Sequence, residues 1–272
     1  QRPARPSAFR PDVTTITESE RPTGASTGLT GLVRLWLRAC ALIPLLAYGL
    51  LLSLMVCLDA GGYLRREALA AHWSRLLIAL LGIRVRFRGS VPDQPVLIVA
   101  NHVSWLDIPV IQTHLSCRFV SKSEVRDWPI AGWFAQAAGT FYIRRGKGGS
   151  RPLLNRLIPH LQDRGVVTIF PEGTTSDGTQ VLPFHSRLFA AAIESGCQVI
   201  PVSIQYGPGC DGQALAPFIG DDNLVAHLFR VLRDPGMDVS IMTSTPLDSE
   251  GKSRAQLAEA SRQEIRQKLA TG

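Results

Sequence analysis

The stretch Val96-Leu-Ile-Val-Ala-Asn-His-Val-Ser-Trp-Leu-Asp-Ile-Pro-Val110 decides how this chain is read. Its first five residues, Val96 to Ala100, are uninterruptedly apolar. That is the pattern of a strand buried on both faces. Asn101 and His102 end the run, so His102 stands at the carboxyl end of a strand. Ser104 is expected to cap a short helix entered just after it, over Ile108 to His114. Asp107 follows His102 by five positions. On the first or second turn of that helix it would point back toward the histidine. A carboxylate accepting from one ring nitrogen fixes the imidazole tautomer and leaves the other nitrogen able to take a proton. A capped strand-to-helix turn without chemistry has the same spacing, so the pair needs support from the rest of the chain.

Outward from this unit, strands and helices alternate. VRFRG from Val85, CRFVS from Cys117, TFYIRR from Thr140, VVTIFPE from Val166, VIPVSIQY from Val199 and DVSIMTS from Asp238 read as strands. Between and after them lie helical patterns over Ile130–Ala138, Pro152–Gln162, Phe184–Ser195, Asn223–Arg233 and Ser253–Leu269. Gly207 to Asp222, rich in Gly, Pro and Asp, reads as a loop. The alternation predicts an α/β domain over residues 83–272, with a mixed, mostly parallel central sheet flanked by helices. Ligands in such sheets gather beyond the carboxyl ends of strands.

The N-terminal third has a different character. Residues 1–30 are rich in Pro, Thr, Ser, Arg and Glu and read as a disordered tail without the layout of a signal peptide. Residues 31–82 read as a membrane-anchoring helical segment. Within it Ala39 to Leu58 is uncharged throughout, and a helix of about 20 residues spans about 30 Å, close to the hydrocarbon thickness of a bilayer. Leu69 to Ile83 is apolar but carries His72 and Arg75, which suits an interfacial or core helix. One span, a hairpin dipping into one leaflet, and a buried soluble helix all fit this pattern. Lysine plus arginine number 29 against 22 acidic residues, a formal charge of +7. That balance favours polyanions or anionic lipid. No zinc-finger spacing or RNP-like aromatic pattern is present, which argues against a nucleic-acid partner. Cys40, Cys57, Cys117, Cys197 and Cys210 are scattered, with no CxxC pair. They imply neither a disulfide frame nor a metal site.

Three further segments carry polar chemistry at strand ends. Phe170-Pro-Glu-Gly-Thr-Thr-Ser176 places Glu172 after an apolar strand. Gly173 there permits close backbone approach, and Thr174, Thr175 and Ser176 supply hydroxyls and amides. Gly139 to Arg145 ends a strand in two arginines, the side chain that best matches a phosphate or carboxylate. Val199-Ile-Pro-Val-Ser203 reads as an apolar wall.

Taken in this order, the four segments resemble the motifs of the glycerolipid acyltransferase family, the PlsC-like lysolipid O-acyltransferases. Asn101, His102 and Asp107 match the family's Asn-His-x4-Asp motif, and Phe141 to Arg144 its aromatic strand ending in arginine. Phe170 to Thr174 match Phe-Pro-Glu-Gly-Thr, and Val199 to Val202 match Val-Ile-Pro-Val. The resemblance covers Leu69 to Ile204 and extends to the apolar helix ahead of the first motif. It implies an enzyme that moves a fatty acyl group from an acyl thioester to a lysolipid hydroxyl. His102 would be the base and Asp107 its orienter, while Arg144, Glu172, Gly173, Thr174 and Thr175 would hold the acceptor. It implies acyl carrier protein or coenzyme A as the donor's carrier, no further cofactor, and a place on the inner membrane with the site facing the cytoplasm. Members acting on 1-acylglycerol-3-phosphate often have arginine where this chain has Thr175, and a Phe-Lys-x-Gly-like segment where it has Phe184-His185-Ser186. In those two places the chain is similar to members that acylate lyso-ornithine lipid. Both acceptors stay open at this point, as do a thioester hydrolase and a noncatalytic lipid-binding protein.

Overall fold

The computed structural model describes residues 28–91, 95–144, 150–163 and 165–271. The proposed tail lies almost wholly outside these residues, as does Arg145. Seven strands form one sheet in the order β1-β7-β6-β2-β5-β3-β4. They are β1 (Arg84–Arg88), β2 (Val96–Ala100), β3 (Arg118–Lys122), β4 (Phe141–Ile143), β5 (Val166–Ile169), β6 (Gln198–Tyr206) and β7 (Asp238–Thr243). Every neighbouring pair is parallel except β6–β7. The expected mixed, mostly parallel sheet is therefore present. The carboxyl ends of β2, β3, β4, β5 and β6 share one edge.

β2 lies near the middle, and all five of its residues are buried. Its side chains alternate between two cores. Val96, Ile98 and Ala100 pack with Leu77 and Ile78 of α2 (Arg66–Leu80), Val110 and Ile111 of α3 (Asp107–Gln112), and Val231 and Leu232 of α7 (Leu224–Arg233). Leu97 and Val99 pack with Leu157 and Leu161 of α5 (Ser150–Gln162), Ala191 of α6 (Ala190–Ser195) and Leu257 of α8 (Arg254–Thr271). The result is a three-layer sandwich, which explains why β2 reads as continuously apolar. Phe184 to Ser195 is not one helix. It starts as a 3-10 turn over Ser186–Phe189 and becomes α-helical only at Ala190.

α1 (Leu29–Leu58) runs 30 residues and begins ten residues before the uncharged stretch. Arg34 and Arg38 belong to it because the end of α7 receives them. Arg34 donates to Arg233 O at 3.0 Å, and Arg38 to Leu232 O, Asp234 O and Pro235 O at 3.3, 2.6 and 3.0 Å. Leu232 O and Arg233 O are among the carbonyls a helix C-terminus leaves unpaired, and Asp234 O and Pro235 O follow directly. Farther along, Gly49 meets α2 and α4 (Ala131–Ala137). A Cβ there would lie 2.5 Å from Trp73 Nε1 and 2.8 Å from Phe134 Cζ. Trp73 Nε1 instead reaches Leu45 O at 3.0 Å. α1 thus docks one face on the α/β body and exposes Leu37, Ile43, Leu51, Leu54, Met55 and Leu58 on the rest. By length and composition it is long and apolar enough to cross a membrane. α2 has a different role: it is a core helix, burying Ala71, Ser74, Leu77 and Ile78.

Candidate active site

β2 leaves the sheet at Asn101, whose buried amide takes over the ladder. Its Nδ2 donates to Ile204 O at 3.0 Å, and Ile204 N donates to its Oδ1 at 2.8 Å. A side-chain amide thereby mimics one more residue of strand pairing, and the backbone is free to turn. His102 comes next, at the carboxyl edge. Asp107 opens α3 and points back, as expected, with its Oδ2 at 2.7 Å from His102 Nδ1.

Asp107 is 0% exposed, and a buried carboxylate needs compensation. Oδ2 accepts from the main chain of Val103 at 2.7 Å and of Ser104 at 3.0 Å, and Oδ1 accepts from the Tyr206 hydroxyl at 2.7 Å. The expectation that Ser104 caps this helix is corrected here. Its hydroxyl is buried without a hydrogen-bond partner, and the Asp107 carboxylate gathers the turn's amides in its place. Burial and the Asp107 charge push the Tyr206 phenol well above its ordinary pKa, so it remains a donor. With Nδ1–H committed to Asp107, the imidazole presents Nε2 as its proton acceptor. The ring stacks on Phe170 at 4.1 Å between centroids and keeps 20% of its side-chain surface exposed.

The second loop is tied to the first through its main chain. Gly173 N donates to Phe170 O at 3.1 Å, closing a turn with Pro171 at its second position. That turn sends Glu172 inward. Expected to hold a ligand's polar end, Glu172 is buried and accepts from His102 N at 2.9 Å and Leu182 N at 3.2 Å. Burial raises its pKa, and those two amides oppose the rise. Ser176 N donates to His102 O at 2.8 Å. Gly173 has φ +69°, and a Cβ there would sit 3.2 Å from His185 Cδ2, so the exposed His185 ring covers this turn. Thr174 is exposed, whereas the Thr175 hydroxyl donates to Phe218 O. Phe218 N donates to Val103 O at 3.0 Å. The 207–222 loop is thus knitted onto both site loops.

Arg144 lies beyond β4 on the same edge and is exposed. β4 stands three strands from β2, about 14 Å at the usual spacing of strands. The structure therefore brings His102, Asp107 and Glu172 into contact, sets Gly173, Thr174 and Thr175 beside them, and leaves Arg144 farther along the same edge of the sheet. Tyr206 went unforeseen. Its only signal was a polar-tipped aromatic ending an apolar strand on the ligand-binding edge. Among the described residues no group of three His, Cys, Asp or Glu side chains is placed to hold a metal ion.

Comparison with known proteins shows the family and the fold. The acyltransferase family model matches residues 82–205. A lyso-ornithine lipid O-acyltransferase of Pseudomonas aeruginosa is 45% identical over 239 residues, covering 86% of this chain and 93% of that protein. The chain belongs to the glycerolipid acyltransferase family. A 1-acyl-sn-glycerol-3-phosphate acyltransferase of Neisseria meningitidis is 33% identical over 178 residues, 64% of this chain and 70% of its own. The crystal structure of the 1-acyl-sn-glycerophosphate acyltransferase PlsC from Thermotoga maritima shares the fold. Its TM-score is 0.67 at 23% identity, over 89% of this chain and 95% of that one. The chain is a lysolipid O-acyltransferase.

Proposed function

We propose that this enzyme acylates the free hydroxyl of a lyso-ornithine lipid, with His102 as the base. His102 Nε2 takes the proton from the acceptor hydroxyl as that oxygen attacks the thioester carbonyl. Asp107, at 2.7 Å from Nδ1, stabilises the imidazolium that forms. Collapse of the tetrahedral intermediate breaks the C–S bond, and the departing thiolate takes the proton back from the imidazolium. The acyl group is already activated as a thioester, so no serine or cysteine nucleophile is required.

The acceptor assignment is carried by Thr175. Its hydroxyl is committed to the Phe218 carbonyl, so the position offers a phosphate neither a cation nor a free donor. A headgroup with a carboxylate and an ammonium makes no demand for one there. Arg144 suits the carboxylate by bidentate pairing. The 45% identity to the Pseudomonas enzyme supports the same choice. The exposed apolar face of α1 supports a membrane location, and we place the enzyme on the cytoplasmic face of the inner membrane, where an acyl thioester carrier reaches it.

The test is acyl transfer by membranes carrying the protein, with lyso-ornithine lipid and lysophosphatidic acid offered in parallel and with acyl carrier protein and coenzyme A thioesters in turn. Transfer to the aminolipid, abolished in His102→Ala, is expected. Transfer to lysophosphatidic acid alone would overturn the acceptor assignment. Near-parental transfer by His102→Ala would overturn the base.

A further inference from the structure

After β3, a 3-10 turn over Ser123–Asp127 leads into Trp128-Pro129-Ile130-Ala131. Ile130 has φ 62° and ψ −57°, and Ala131 N donates to Pro129 O at 2.6 Å. This is a γ-turn of the positive-φ kind, a rare and strained conformation. It is least expected at a β-branched residue. Among the described residues Ile130 is the one non-glycine with positive φ. Core packing does not account for it, because Ile130 is 41% exposed. The frame beneath the turn is well defined. Trp128 N donates to Val125 O, Gly132 N to Trp128 O and Phe134 N to Ile130 O, at 3.2, 2.9 and 3.0 Å. Gly132 admits no side chain, since a Cβ there would lie 2.2 Å from Arg126 O. This frame holds out three large apolar side chains: Ile130, Trp128 at 41% and Trp133 at 66% exposure.

Position says what covers them. The turn follows the carboxyl end of β3, so it lies on the sheet edge that carries His102 and Arg144. α4, which begins in the turn, seats Phe134 on Gly49 of α1 and against Trp73 at 4.7 Å between centroids. The turn therefore adjoins the half of α1 that exposes Leu51, Leu54 and Met55. Tryptophan is the side chain that settles at the headgroup level of a bilayer, and this turn presents two of them around an isoleucine.

We propose that the Trp128–Trp133 turn is a bilayer contact separate from α1, which dips into the headgroup region and turns the active-site edge of the sheet toward the lipid. One helix leaves the body free to rotate about its axis. A second contact on the site's own edge fixes that rotation, so a lysolipid hydroxyl need not leave the interface to reach His102. The proposal rests on the reading of the chain as a membrane-bound acyltransferase.

The test places a nitroxide at Ile130→Cys in the full chain, with Cys40, Cys57 and Cys210 replaced by serine. Cys117 and Cys197 are buried and remain. The protein is reconstituted in phosphatidylethanolamine–phosphatidylglycerol vesicles. Collisions with oxygen should exceed those with a water-soluble nickel chelate, as for a control label at Leu54→Cys. Dominant nickel collisions would put the turn in water. Dipolar broadening between labels would put it against a second copy of the chain. Either result overturns the proposal. In the double variant Trp128→Ser with Trp133→Ser, KM for a bilayer-embedded acceptor should rise about tenfold, with transfer to a short-chain, water-soluble acceptor unchanged. Equal losses on both acceptors would also overturn it. A parent enzyme that transfers to no lysolipid would sink the acyltransferase reading, while the nitroxide result would still decide the turn.

Discussion

Asp107 shows how much of the site is built to keep one charge in a dry place. It accepts from His102, Val103, Ser104 and Tyr206, and the Tyr206 bond is the one that reaches its second oxygen. In Tyr206→Phe that oxygen is left buried and unsatisfied, at a cost of about 1–3 kcal/mol. The carboxylate is then free to swing away from Nδ1. Because the defect lies behind the imidazole and not in a binding wall, kcat should fall about tenfold while KM for both substrates stays within about twofold. Initial rates over both substrate concentrations check this. A raised KM with kcat intact would move Tyr206 into a binding role. Arg144→Ala is the opposite case: KM for the acceptor should rise by about tenfold, as for a lost charge-assisted bond, with the donor's KM unchanged. The reverse pattern would remove Arg144 from the acceptor's binding site. His102 and Asp107 were legible in the sequence because a strand end and the next helix hold both within a few residues. Tyr206 was not, because it lies 99 positions from its partner and only the β2–β6 pairing brings the two together. Glu172 was visible as a residue, but its ties to His102 N and Leu182 N were not, since main-chain amides leave no mark on a sequence.

At the scale of elements, α1 shows the same division. Its hydropathy makes it plain as a helix, but nothing in that pattern tells which of its charges are anchors. Arg38 is one because it closes the open end of α7, reaching three carbonyls with one planar fork. Arg38→Ala should destabilise the detergent-solubilised protein by about 2 kcal/mol, lowering Tm by roughly 5 °C. Arg38→Lys should recover less than half of that loss, because an ammonium cannot span the three acceptors. Thermal melts of the two variants against the parent decide it, and full recovery by lysine would reduce the contact to simple charge. The central strands were legible because a sheet covered on both faces demands apolar runs bounded by turn residues, and the edge strand β1 because its residues alternate between half-buried and exposed. The γ-turn at Ile130 was not, because Pro-Ile-Ala-Gly reads as the start of a helix, and only the tight approach to Arg126 O shows why the chain must first reverse.

Over the whole molecule, histidines whose pKa is lowered by folding couple stability to pH. Burial lowers the pKa of His227, and Arg230 lowers it further, while Asp222 opposes. His114 and His160 are lowered in the same direction, chiefly by burial. His227 is the one wired to the site. Trp105 Nε1 is only a donor, so His227 Nδ1 accepts from it at 3.0 Å, and Nε2–H points to Leu215 O at 3.1 Å. A protonated ring would set one donor against another. With a folded pKa below the ordinary histidine value of about 6.5, the unfolded chain binds the extra proton first. Stability from His227 is therefore present above about pH 6.5 and is lost as pH falls below it, by at most about 1.4 kcal/mol per pH unit for a single group. Glu172, whose pKa is raised, works in the opposite sense, since acid relieves its buried charge. His227→Gln keeps an acceptor for Trp105 and a donor for Leu215 but no longer titrates. Its Tm should fall less than the parent's between pH 7 and 5, with activity at pH 7.5 retained. Melts across that range check the claim. Parallel curves for parent and variant would remove His227 from the acid response and leave it to His114 and His160. A shallower curve would assign part of the acid sensitivity to the Trp105–His227–Leu215 contact, which with Phe218 fastens the 207–222 loop beside His102.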